Sequence, residues 1–129
     1  MPAKPVKILV VDDEPLLERL IIQQFKQEIK INQYQFLFAP NGIEALKVIQ
    51  NESIDLLITD INMPEMNGLT LLKKIKEIEI EIKTIVISAY GDPKNIEETI
   101  NLQGLDFLAK PIDFDELKIT IHKTLISES

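Results

Sequence analysis

Five short apolar runs alternate along the chain with segments whose apolar residues recur at helical spacing, and this alternation limits the possible folds more than any other feature. The runs lie at residues 7–11, 34–39, 56–59, 84–88 and 106–109. A short apolar run without glycine or proline is typical of a strand in a parallel sheet that helices cover on both faces. The alternation therefore predicts successive strand–helix units joined by right-handed crossovers.

Helix signals lie between these runs. Pro15 suits the first position of a helix, which is predicted to run to about Lys30. Its apolar residues recur at helical spacing and are predicted to bury one face on the sheet: Leu17, Leu20, Ile21 and Phe25. Further helices are predicted at residues 42–50, from about residue 69, at 92–102 and from residue 113 onward. The predicted fold class is α/β: a flavodoxin-like, doubly wound, five-stranded parallel sheet with strand order 2-1-3-4-5 and helices on both faces.

Length and composition fit one domain, predicted to span residues 1–129 with a loose N-terminal arm at 1–6. The sequence contains no apolar stretch long enough to span a membrane and no signal-peptide pattern, which predicts a soluble, cytoplasmic protein. It has no cysteine, which excludes disulfides, thiolate metal sites and cysteine nucleophiles. The net charge of −7 argues against direct binding to nucleic acid and suits a cation.

Polar residues stand at the ends of four predicted strands. Asp12 and Asp13 follow the first strand, Asp60 follows the third, Ser88 ends the fourth, and Lys110 follows the fifth. Because the ligand crevice of an open parallel sheet lies beyond the carboxyl ends of its strands, these residues are predicted to share one edge. Asp60 is the predicted functional centre of that edge.

The combination of residue types indicates phosphate chemistry. Three carboxylates in one crevice repel one another unless some are protonated or a cation neutralises them. Oxygen ligands with positions left open suit Mg2+, which keeps room for a phosphate oxygen. Lys110 adds a positive charge for the same phosphate and Ser88 adds a hydroxyl donor. The set predicts transfer of a phosphoryl group onto a carboxylate.

Each of these residues also has a purely local interpretation. Asp12 and Asp13 are acids at a helix start, which the helix dipole favours, and Asp60 alone could cap a turn. Lys110 alone is a common solvated lysine, and Ser88 alone is a common hydroxyl at a strand end. Their placement on one edge favours a shared site.

Four motifs in this order resemble the receiver domain of bacterial two-component response regulators, from Lys7 to about Leu125. They are Val10-Val11-Asp12-Asp13-Glu14-Pro15, Thr59-Asp60-x-x-Met63-Pro64-x-Met66-x-Gly68, Ser88-Ala89-Tyr90 and Phe107-x-x-Lys110-Pro111. Each motif is modest alone, but their order and distances make the set highly specific. The resemblance implies a phospho-accepting switch of a two-component phosphorelay, which catalyses its own phosphorylation and dephosphorylation and is not otherwise an enzyme.

The resemblance implies a donor and a metal site. Asp60 would accept the phosphoryl group from a histidine kinase or a histidine phosphotransfer protein. Asp12, Asp13, Asp60 and the backbone carbonyl of Asn62 would hold Mg2+. No contact with a membrane or with nucleic acid is implied.

It also implies how the phosphoryl group is bound and read. Lys110 would pair with the phosphoryl group and Ser88 would shift to donate a hydrogen bond to it, while the small Ala89 leaves room. Phe107 would turn inward, and the peptide bond between Lys110 and Pro111 would be cis. The altered surface, at roughly residues 92–126, would act on an effector domain or protein in cis or in trans, or through a phosphorylation-dependent homodimer.

Two other functions are open to the same residues. A Mg2+-dependent phosphatase with an aspartyl-phosphate intermediate would need a second Asp two residues after Asp60, where this sequence has Asn62. A receiver-like scaffold that is never phosphorylated would not need the full set of acids, serine and lysine. His122, the one histidine, is interpreted as a solvated residue of the last helix rather than as a phosphocarrier.

Overall fold

The computed structural model describes residues 4–61, 66, 68–89 and 105–127. Five strands lie within these ranges: β1 (Val6–Val11), β2 (Tyr34–Ala39), β3 (Leu56–Asp60), β4 (Lys83–Ser88) and β5 (Asp106–Ala109). The helices there are α1 (Pro15–Gln24), α2 (Lys26–Lys30), α3 (Gly42–Asn51), α4 (Gly68–Glu77) and α5 (Phe114–Ile126). The helix predicted at 92–102 and the backbone of Asn62 lie outside the described residues.

The five strands form one parallel sheet in the order β2-β1-β3-β4-β5, which confirms the predicted topology. In the register of the sheet, Val11 of β1 lies beside Thr59 of β3, and Asp60 lies beside Ile87 of β4. All the strands point the same way, so the residues that follow β1, β3, β4 and β5 emerge at one edge.

Apolar side chains fill the space on both faces of the sheet. On one face, Leu17, Ile21 and Leu117 bring α1 and α5 against the strands. On the other face, Ala45 of α3 and Leu71 of α4 pack in a second cluster. Burial of strand residues on both faces explains why the strands have apolar rather than alternating sequences.

The first helix differs from its prediction. It is interrupted at Phe25, whose φ of −104° and ψ of 18° depart from helical values, and it resumes as α2. The hydrogen bonds from Phe25 N–H to Ile21 O and from Ile29 N–H to Phe25 O, both 2.9 Å, bridge the break. Phe25 is fully buried, with its ring centroid 5.0 Å from that of Phe36. Helical periodicity in the sequence does not reveal an aromatic contact between this helix and a strand.

The first strand begins one residue earlier than predicted. Val6, predicted to belong to the N-terminal arm, is half-buried, pairs with Tyr34 as the first residue of β1, and donates its N–H to Gln33 O at 3.0 Å. The strand gains a residue because β2 offers it a backbone partner.

Within the described part of the chain, no helix is both long enough and apolar enough to cross a membrane.

Candidate functional site

Two neighbouring strands position the acids of the site. β1 ends at Val11, so Asp12 and Asp13 leave the sheet directly beside the end of β3, whose last residue is Asp60. The Asp60 residue is 3% exposed and the Asp12 side chain is 4% exposed, while Asp13 lies at the surface. The carboxylates therefore form a site that is open on one side and closed by the sheet on the other.

Lys110, on the loop after β5, reaches across the edge to these acids. Its Nζ lies 3.0 Å from Asp60 Oδ2, to which it donates a hydrogen bond, and 3.2 Å from Asp12 Oδ2. A third carboxylate, that of Glu14, lies on the more exposed side, with its Oε1 3.7 Å from Lys110 Nζ. Lys110 thus partly neutralises the carboxylates that repel one another.

The charge of Lys110 is stabilised by its surroundings. Burial by itself lowers the pKa of Lys110, but the hydrogen bond and charge of Asp60, followed by the charge of Asp12, outweigh it and raise the pKa well above its ordinary value. Lys110 therefore stays protonated at neutral pH and is a fixed cation in the site.

The acids are also close enough to share a cation. Asp12, Asp13 and Asp60 each offer an oxygen, and these three oxygens lie within 4.8 Å of one another. Asp12 Oδ2 is buried and makes no hydrogen bond, although it forms an ion pair with Lys110 Nζ at 3.2 Å. A cluster of carboxylate oxygens fits a hard cation such as Mg2+.

The remaining predicted residues line the other half of the edge. Ser88 is buried at the end of β4, and its carbonyl accepts a 2.8 Å hydrogen bond from the Lys110 N–H. Ala89 follows it and is half-buried. Phe107 lies beside Val86 in the sheet and packs with it in a small apolar cluster. The Lys110–Pro111 peptide bond is cis.

A family model described as the response regulator receiver domain matches residues 8–122. This chain belongs to the response regulator receiver domain family. The match includes the acids of the β1 loop, Asp60, Ser88 and Lys110. The chain is therefore a receiver domain of two-component response regulators, homologous to phosphoacceptor domains.

Individual relatives differ in how much more they contain than a receiver domain. Sporulation initiation phosphotransferase F of Bacillus subtilis is 37% identical over 119 residues, which are 92% of this chain and 93% of that protein. Transcriptional regulatory protein ZraR of Klebsiella oxytoca is 34% identical over 97% of this chain, which is 27% of its own length. The solved structure of response regulator protein TrrA from Thermotoga maritima in complex with Mg2+-BeF has a TM-score of 0.76 and 31% identity, and the match covers 95% of this chain and 100% of that one.

The receiver domain site contains two features that sequence reasoning missed. Glu14 contacts Lys110, and the signal for it was the acidic run that continues past Asp13. Gly68 donates its N–H to Ile61 O at 2.8 Å, and a Cβ built on Gly68 would lie 2.3 Å from the backbone oxygen of Asp60. The glycine was noted in a motif, but its contact with the strand end needed the fold.

An apolar groove of about 520 Å³ opens beside Lys110, between α1 and the β5–α5 loop. Leu16, Leu20, Ile112 and Phe114 supply its apolar lining, and Leu16 is 59% exposed. The groove joins the acidic site directly, because Asp12 and Lys110 line both.

Proposed function

We propose that Asp60 is the phosphoacceptor of this receiver domain and that its donor is a phosphohistidine on a histidine kinase or a histidine phosphotransfer protein. The observation that carries the proposal is the buried Asp60 carboxylate, held 3.0 Å from Lys110 Nζ beside two further acids. Phosphoryl transfer depends mainly on positioning and on electrostatic stabilisation, and this arrangement supplies both.

The reaction requires one bond to form and one to break. A carboxylate oxygen of Asp60 attacks phosphorus, and the new O–P bond forms as the N–P bond of the donor breaks. The electron pair of that bond stays on the imidazole nitrogen, which then takes up a proton. Lys110, already next to Asp60, donates hydrogen bonds to the phosphoryl oxygens as they arrive. The switch is reset by hydrolysis, in which water attacks phosphorus and releases inorganic phosphate from Asp60.

The residues that would hold Mg2+ are Asp12, Asp13 and Asp60. The support is the closeness of their oxygens and the buried Asp12 Oδ2 that makes no hydrogen bond. The carbonyl of Asn62, implied as a further ligand, stays a prediction outside the described residues. When bound, Mg2+ would neutralise charge on the phosphoryl oxygens and on the acids. Asp12 and Asp13 would each supply a carboxylate oxygen to the ion.

We propose that the residues that respond to the phosphoryl group on Asp60 are Ser88, Ala89 and Phe107. The Ser88 hydroxyl would donate a hydrogen bond to a phosphoryl oxygen, and Phe107 would then turn inward. These changes would favour one of two arrangements of the surface at residues 92–126 over the other. A bias of about 1–3 kcal/mol would change partner affinity several-fold to about a hundredfold. The output would be an effector domain or protein in cis or in trans, or a homodimer.

The donor is proposed to dock in the apolar groove beside Lys110. A protein donor must bring its phosphohistidine to Asp60, so the surface that adjoins the site must be contacted, and here that surface is apolar and exposed at Leu16. The donor and this chain must be in the same compartment to react, and we infer that this compartment is the cytoplasm.

The test is intact mass after treatment with acetyl phosphate, with and without Mg2+. We expect a single phosphoryl adduct that depends on Mg2+, is lost in Asp60→Asn and is kept in Asp115→Asn, the matched change at an exposed acid of α5. A folded protein that binds Mg2+ yet never gains the adduct would support the scaffold function instead. Rapid, continuous phosphate release from added phosphoesters would support the phosphatase.

The docking groove is tested with a pair of matched variants. Leu16→Asp lies in the groove, while Ile22→Asp places the same charge elsewhere on α1 at a residue that is 47% exposed. With a purified phosphohistidine protein that phosphorylates the unmodified chain, Leu16→Asp should slow transfer and Ile22→Asp should not. Both variants should react normally with acetyl phosphate, since that donor needs no docking surface.

A further inference from the structure

The outer edge of β2 has no strand beside it among the described residues. β2 is the first strand in the sheet order, and β1 is its neighbour on the other side. The hydrogen bonds from Val6 N–H to Gln33 O (3.0 Å) and from Asp12 N–H to Ala39 O (3.1 Å) show that odd-numbered backbone groups face β1. Because backbone groups alternate along a strand, those of the even-numbered residues Tyr34, Phe36 and Phe38 point to the open side.

This edge also lacks charge. Residues 31–43 include no Asp, Glu, Lys or Arg, and they form the longest uncharged stretch of a chain with a net charge of −7. Two copies of so acidic a chain repel each other, so close contact between copies is least unfavourable where charge is missing. Within β2 there is likewise no lysine or proline of the kind that commonly blocks pairing at a sheet edge.

Aromatic side chains form a row on one face of the same strand. The rings of Phe36 and Phe38 are stacked, with centroids 6.3 Å apart and planes at 21°. Tyr34 extends the row at 6.2 Å from Phe36. Phe36 and Phe38 are half-buried, so part of each ring is available for contact with a neighbouring strand. Cross-strand aromatic pairs stabilise sheets beyond their backbone bonds.

We propose that this edge pairs antiparallel with β2 of a second copy of the chain, making a continuous ten-stranded sheet with five strands from each copy. With Phe36 opposite its counterpart, the outward groups of all three even-numbered residues find partners, and Tyr34 lies opposite Phe38. The arrangement is two-fold symmetric, so one surface serves both copies. It also places Ile31 of one copy near Ile43 of the other; these residues flank the strand and are 61% and 40% exposed.

A second copy fits this edge better than an unrelated strand does. Backbone pairing alone accepts any extended segment. The aromatic row and the absence of charge are, however, features that the same edge of another copy matches residue for residue. The pairing is independent of Asp60, so its failure would leave the proposed phosphoryl chemistry untouched.

The test combines sedimentation velocity with residue-resolved amide hydrogen exchange over a range of protein concentrations, using the unphosphorylated chain. We expect a dimer that grows with concentration, and protection that rises with it at the amides of Tyr34, Phe36 and Phe38. The amide of Leu37, which faces β1, should be protected at all concentrations. A chain that stays monomeric up to its solubility limit would overturn the proposal, as would a dimer in which those three amides stay unprotected.

Matched variants identify the surface. Gln35→Glu puts a charge on each paired edge, and Gln50→Glu makes the same change at an exposed residue of α3. The dimer dissociation constant should rise roughly 3- to 10-fold for Gln35→Glu, because charges near a paired strand oppose association. Ile31→Asp should weaken the dimer and Ile119→Asp, at a residue 68% exposed on α5, should not. Equal effects of both members of either pair would place the dimer contact elsewhere.

Discussion

Replacing Gly68 with alanine should disturb the site through the backbone of Asp60. A Cβ at Gly68 would lie 2.3 Å from the Asp60 carbonyl oxygen and 3.0 Å from Ile61 Cα. Contacts below 3.0 Å are essentially absent at real Cβ atoms, so α4 or the end of β3 must move by about 0.7 Å to reach even that limit. The obstacle is backbone, which has no rotamer with which to escape.

The expected cost has two parts. Overpacking of this kind lowers the free energy of unfolding by about 1–3 kcal/mol. Movement of the Asp60 backbone also displaces its carboxylate from Lys110, and a misplacement of this order can slow a positioned reaction about 10- to 100-fold. The rate of phosphorylation by acetyl phosphate should therefore fall in a variant that is still folded.

Gly42→Ala is the matched control, because Gly42 begins α3 as Gly68 begins α4. Its Cβ would lie 2.8 Å from side-chain atoms of Met66 and 2.9 Å from the Met66 carbonyl, and none of the three nearest atoms belongs to Asp60. Urea denaturation and phosphorylation rates of both variants decide the matter. The reasoning is refuted if Gly68→Ala loses no more stability than Gly42→Ala, or if it keeps the unmodified rate.

Two further predictions concern the aromatic cluster at α1 and β2. Phe25→Ala should lower the free energy of unfolding by about 3–5 kcal/mol in urea denaturation, because the ring is fully buried and leaves a cavity against Phe36; a loss below about 1 kcal/mol would contradict the packing. Burial, and then the charge of Glu28, raise the pKa of Tyr34 above its ordinary value of 10.0, against a smaller lowering by a hydrogen bond with Gln33. The folded state therefore favours the neutral phenol, and the stability this contributes is complete below about pH 10 and is lost as the pH rises through the higher folded pKa. An ultraviolet titration, with Tyr34→Phe to identify the signal, should show Tyr34 ionising later than in the unfolded chain, and Glu28→Gln should bring that ionisation to lower pH.

Local sequence patterns were enough to predict most of the architecture. The strand order, β5 at Asp106–Ala109 and the start of α3 after Asn41 are confirmed, and the Asn41 side chain accepts the Glu44 N–H at 2.9 Å as a helix cap. The same holds for Asp113, whose Oδ1 accepts the N–H groups of Asp115 and Glu116 at the start of α5. These features depend on residues close in sequence, so periodicity and capping preferences reveal them.

For the site, the sequence predicted that the charged residues share one edge of the sheet, but not all of their contacts. The acids and Lys110 were assigned to one place because parallel strands end together, and the structure does bring them together. Whether they act as proposed is a matter for the phosphorylation experiment. The contact of Glu14 with Lys110, the close approach of Gly68 to Asp60 and the interruption of the first helix at Phe25 were not predicted.

Within the described residues, the sequence by itself determined which segments are strands and helices, the order of the strands and the edge at which the charged residues gather. Those properties follow from short-range periodicity and from the handedness of crossovers. The tertiary structure decided the distances: which carboxylates contact Lys110, how closely Gly68 approaches β3, and that β2 presents its aromatic strand at an open edge. These depend on the packing of residues far apart in the chain, where differences of less than an ångström separate a contact from a clash.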